Sequence, residues 1–186
     1  MAKALDLRKR VDLGEKVSEK QALHLLNQSI LVAHLLTPPN GRPETFHGLR
    51  GHEWRLLEFC EIPFAYLLSP VQKWLQILIE RTTIDEGFSL TGSKDGVLAC
   101  HTSMLTRIMI CHTADKSLVD RGIQWILDYQ MMRKGQKCTW SGKDLYTRWG
   151  GCMKANPCYY GVVKAMVTLQ CYQERSGEDA AVQERI

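Results

Sequence analysis

No stretch of this chain reaches ~18 consecutive apolar residues, the length a membrane-crossing helix needs, so no spanning segment is expected. Met1 to Arg10 alternates apolar and basic residues and lacks an apolar core of roughly 7 to 15 residues, so a secretory leader is not expected either. Runs of Lys and Arg interleaved with aromatics are missing, and the net charge of +4 is spread along the chain, which argues against nucleic acid as a partner. No C-x-x-C pair occurs among the seven cysteines. The expected location is the cytoplasm, where these thiols stay mostly reduced and a disulfide framework is not expected.

What is present is an ordinary globular composition, 45% apolar and 24% charged over 186 residues, enough for one domain with a proper core. That domain is expected to be all-α over 1–186, with an N-terminal helix and loop in 1–52, helical hairpins in 53–175 and a polar tail in 176–186. The apolar spacing predicts a helix from Glu15 to Leu36, with Ser18 as an early cap and Thr37-Pro38-Pro39 as its stop. His24 and His34 on it read as solvated or core residues. Pro38 to Gly51 reads as a flexible loop carrying His47 and His52. A second helix follows from Glu53 to about Ser69, bent near Pro63, with an apolar set running from Trp54 through Leu56, Leu57, Phe59 and Ile62. Pro70 fits the first turn of the next helix. The tail from Glu174 reads as a frayed or separately docked end, behind a stop at Ser176-Gly177.

The chain also contains an internal similarity. Cys100 to Ile110 aligns in constant register with Cys158 to Thr168, each copy a Cys leading an apolar helix. The preceding helices, Ser69 to Glu80 and Ser117 to Asp128, align as well, and the second copy carries an insertion around Lys143 to Gly151. An aromatic turn lies between the helices of each copy, at Gly87-Phe88 and at Thr139-Trp140. Repeats of two helices imply stacked hairpins that bury their apolar faces only against neighbours.

The order of a helix ending in Asp128-Tyr129-Gln130, a turn with Trp140, and a helix opening Cys158-Tyr159-Tyr160-Gly161 resembles the repeat of prenyltransferase and squalene-cyclase-like proteins. The resemblance covers about 60–172, with Asp85-Glu86-Gly87-Phe88 as a second version of the turn. It implies part of an α/α toroid whose inner helices face a concavity. The Asp-x-Asp-Asp and Asp-Asp-x-x-Asp motifs of such enzymes do not occur here, so catalytic residues are not assigned. Any enzyme of this type would be a transferase or lyase without the usual acidic motifs.

On this resemblance Asp95, His101, Trp140, Asp144, Trp149, Tyr159 and Tyr160 would line a pocket for an apolar, isoprenoid-like ligand. Cys100, Cys138, Cys152 and Cys158 would supply four thiolates to a zinc ion if the starts of the two inner helices adjoin, and a helix N-terminus favours a thiolate. The other readings are that Cys60, Cys100, Cys111, Cys158 and Cys171 only fill space, or that His101 and Cys158 pair as base and nucleophile across the fold. The remaining alternative is a non-catalytic interaction module that self-associates to form a homo-oligomer.

Overall fold

The computed structural model describes residues 3–136, 138–140, 158–177 and 179–186. They form two compact units, Met1–Leu78 and Ile79–Ile186. The architecture is all-α, with one two-stranded hairpin among the described residues and no described helix long and apolar enough to cross a membrane.

In the first unit Lys3–Asp12 forms α1, an amphipathic helix that buries Ala4 and Leu7. The helix expected over 15–36 is instead two helices, α2 (Glu19–Asn27) and α3 (Ile30–Leu35). Ser29 makes the break. Its hydroxyl accepts from the N–H of Val32 in α3 and of Ala4 in α1, at 3.4 Å each, so one oxygen serves the open ends of two helices. Ser18 caps α2 as expected, in a reciprocal box with Gln21.

The stretch 38–51, expected as a loop, is helical from Phe46, where α4 (Phe46–Cys60) begins behind the N-cap Thr45. Its glycines provide close approach, not flexibility. A Cβ at Gly48 would lie 1.8 Å from the Arg42 carbonyl oxygen, and one at Gly51 would lie 2.9 Å from that of Asn40. His52 is buried and its Nδ1 donates to the Gly48 carbonyl at 2.8 Å. The helix stops at Cys60 and does not continue to Ser69, because Pro63 offers no N–H and Phe64 turns left-handed with φ 63° into a 3₁₀ turn at Ala65–Leu67. Leu56, Leu57, Phe59 and Ile62 are core, whereas Trp54 is 42% exposed because it shares the opposite helix face with Glu58. Pro70 lies in the first turn of α5 (Ser69–Thr82), as expected.

The second unit begins at Ile79 in the last turn of α5 and continues into β1 (Thr83–Ile84) and β2 (Gly87–Phe88), an antiparallel pair joined by Asp85-Glu86. Its centre is α6 (Ala99–Cys111), buried from His101 to Cys111 except at Arg107. A helix buried on nearly every side must satisfy its polar groups internally. Ser103 Oγ donates to the Ala99 carbonyl and Thr106 Oγ1 to that of Thr102, both at 2.7 Å.

Against α6 runs α7 (Lys116–Tyr129), where Gly122 admits Thr106: an added Cβ would lie 2.0 Å from its Oγ1. The helix α8 (Tyr159–Ser176) lies parallel to α6. Gly161 meets Ala99, Thr168 Oγ1 donates to the Ser103 carbonyl at 2.8 Å, and Arg175 Nη1 donates to that of Ile110 at 3.0 Å. Parallel packing is the relation of equivalent helices in successive hairpins. Gly177 ends α8 with φ 83°, and the tail then docks as α9 (Ala180–Arg185). Val182 is fully buried, Gln173 bonds both backbone groups of Asp179, and Arg185 donates to the Leu127 carbonyl.

Candidate functional site at the starts of α6 and α8

The parallel packing of α6 and α8 brings their first turns together. A Cβ at Gly161, in the first turn of α8, would stand 3.5 Å from Ala99 Cβ and 3.8 Å from the Cys100 nitrogen, so the two helix starts lie in van der Waals contact. Cys100 lies in the first turn of α6 and Cys158 is the N-cap of α8. Both are half-buried. Cys138 is half-buried in the stretch leading to Trp140, and burial pushes its thiol pKa up, against an opposing hydrogen bond with the Trp140 backbone. It is therefore a neutral thiol at pH 7, one that a metal would have to deprotonate.

Beside these helix starts lies an aromatic cluster. Trp140 is 4% exposed and stands edge-on to Tyr129 at 5.0 Å and to Trp125 at 5.7 Å between ring centroids. Lys94 Nζ lies 4.7 Å from a Trp140 ring centroid and 3.3 Å from Glu86, a cation held over an indole face. Gln130, the C-cap of α7, donates to the Met131 carbonyl, and its Oε1 lies 3.2 Å from where a Gly161 Cβ would be. That oxygen and the indole nitrogens of Trp125 and Trp140 are buried with no hydrogen-bond partner among the described residues.

The expected site residues are distributed as follows. Asp95 is half-buried in the 3₁₀ turn Lys94–Gly96, and His101 is buried at 9% exposure. Tyr159 faces outward at 86%, and Tyr160 is half in contact, its hydroxyl 3.7 Å from Met104 Sδ. Asp144, Trp149 and Cys152 lie outside the described residues. Among the described residues no three His, Cys, Asp or Glu side chains come together as a metal site.

Two features were not anticipated from sequence. Cys111 and Cys171 place their sulfurs 3.8 Å apart at the far end of the α6–α8 contact. The repeat alignment carries the signal, because it sets the last turn of α6 beside the stretch around Leu169. The second is the outward face of α8, where Tyr160, Val163 and Val167 are exposed and follow a heptad spacing. A groove of about 610 Å³ lies along Met109, Ile110, Val119, Tyr172 and Arg175, away from every expected lining residue. Comparison with family models, with curated proteins and with solved structures returns no match for this chain.

Proposed function

We propose that the chain is a non-catalytic helical interaction module that pairs with a second copy of itself through the outward face of α8. The observation that carries this reading is the exposure of Tyr160, Val163 and Val167, at 44%, 57% and 41%, beside Tyr159 at 86%. The inward residues of α8, Ala165, Thr168, Leu169 and Tyr172, are already packed, so this is a second apolar stripe on one helix. Gln170 and Glu174 continue it as polar positions.

Antiparallel pairing about a two-fold axis suits this stripe. It sets Val163 of each copy against Val167 of the other and Tyr160 against Gln170. Lys164 lies next to the axis with its Nζ 5.1 Å from the Tyr160 ring centroid. A few side chains per copy fall well short of the about 20–30 residues a side of a standard interface, so the dimer is reversible, with Kd roughly micromolar.

Sedimentation velocity tests this. The average mass is expected to rise from 21.3 kDa toward twice that value with concentration, and Val163→Asp with Val167→Asp is expected to hold it at 21.3 kDa with little change in Tm. A wild-type mass that stays monomeric up to roughly 100 μM, a hundredfold above a micromolar Kd, would sink the reading.

A second reading keeps the toroid resemblance and places zinc, or an apolar isoprenoid-like ligand, at the starts of α6 and α8. The abutment of these helix starts, each carrying a thiol, favours it. Protein purified without chelator is then expected to hold near-stoichiometric zinc, with Cys100, Cys138 and Cys158 protected from alkylation until unfolding. Absent metal together with rapid alkylation of these three thiols in the folded protein would remove the zinc reading.

A further inference from the structure

We propose that Cys111 and Cys171 are a redox pair, a dithiol that a small-molecule disulfide such as oxidised glutathione converts into an intramolecular disulfide stapling α6 to α8. The two sulfurs are 3.8 Å apart although 60 positions separate them in the chain. No disulfide joins them in the structure. Cys111 is the last residue of α6 and is 6% exposed, while Cys171 is half-buried in the outer turns of α8, so a reagent reaches Cys171 first.

Contacts independent of sulfur hold the two helices in register here. Thr168 Oγ1 donates to the Ser103 carbonyl at 2.8 Å, and Arg175 Nη1 donates to those of Ile110 and Cys111 at 3.0 and 3.2 Å. The two sulfurs thus face each other across a fixed helix contact, and a bond would bring them from 3.8 to about 2.05 Å.

The chemistry is thiol–disulfide exchange and needs no other reactant. The Cys171 thiolate attacks one sulfur of the disulfide reagent, forming a mixed disulfide and expelling one thiolate. The Cys111 thiolate then attacks the Cys171 sulfur and expels the second. Two protein thiols lose two electrons and two protons; the reagent takes them up and leaves as two thiols. The hydrogen bond to Cys111, and then burial, raise the Cys171 pKa, while the charges of Arg175 and Arg107 oppose the rise. Cys171 is therefore a thiol at neutral pH, and its exchange rate follows the thiolate fraction, rising about tenfold per pH unit. The pair lies between helices and does not depend on the outward face of α8.

The experiment is incubation of the full folded chain with millimolar oxidised glutathione at about pH 8, followed by blocking of remaining thiols and peptide mass mapping. The expected product has lost about 2 Da, links the peptides of Cys111 and Cys171, and has a Tm raised by roughly 5–10 °C that dithiothreitol reverses. Cys171→Ala is expected to abolish both the link and the rise, and Cys111→Ala to do the same. The wild-type map decides by itself even if a variant folds poorly. Cys111 and Cys171 recovered unlinked after oxidation, whether unmodified or each carrying a glutathione adduct, would overturn the proposal, as would links confined to other cysteines.

Discussion

Replacing Trp125 by alanine is expected to destabilise the second unit by about 3–5 kcal/mol, lowering its Tm by roughly 15–20 °C. The indole is 1% exposed and is the hub of the aromatic cluster. It meets Tyr129 at 5.5 Å and Trp140 at 5.7 Å between centroids, and a Cβ at Gly87 would lie 3.2 Å from its Cδ1. Removing it opens a cavity between α7 and the hairpin that rings fixed on rigid elements cannot collapse to fill. Its Nε1 has no hydrogen-bond partner among the described residues, so Trp125→Phe keeps most of the packing and forfeits no described bond. The phenylalanine variant is expected to cost only about 1–2 kcal/mol. Urea unfolding followed by circular dichroism measures both. An alanine variant within about 1 kcal/mol of wild type would show that the cluster is not a packed core.

Gly48→Ala is the other large effect, expected to cost about 2–4 kcal/mol in the first unit. A helix interior ordinarily gains from this change, by up to about 1 kcal/mol, so the sign is diagnostic. Here the new methyl would stand 1.8 Å from the Arg42 carbonyl oxygen and 2.4 Å from its carbon, and backbone cannot rotate away as a side-chain tip does. That carbonyl accepts from the Thr45 hydroxyl at 2.8 Å, and the same hydroxyl accepts from the Gly48 N–H at 3.1 Å. Pushing the turn away therefore also dismantles the N-cap of α4. Gly51→Ala, with its contact at 2.9 Å from the Asn40 oxygen, is expected to cost less. Hydrogen exchange over 46–52 should accelerate in Gly48→Ala, and a stabilised Gly48→Ala would refute the packing account.

The distribution of cysteines separates what each level of description supplies. Cys100 and Cys158 were legible as helix starters because each precedes an apolar run, and the structure places them in the first turn of α6 and at the N-cap of α8. That they lie at adjoining ends follows from the parallel packing of α6 and α8, which sets Gly161 against Ala99. The approach of Cys111 to Cys171 is a long-range contact of the same kind, set by helix register.

By itself the sequence determined the all-α class, the caps at Ser18 and Gly177, the place of Pro70 and the Cys-led helices α6 and α8, because these follow from local backbone chemistry and a 3.6-residue period. Tertiary structure decided the rest. Ser29 breaks a continuous apolar pattern because α1 brings a second donor to its hydroxyl. Gly48 and Gly51 lie in a helix with a chain segment pressed against them, although the same residues favour loops in isolation. Val163 and Val167 carry the same apolar signal as the buried Leu169, and only the packing of α8 on α6 divides the inward stripe from the outward one. Periodicity reports which residues share a face; what covers that face is settled by contacts between segments distant in the chain.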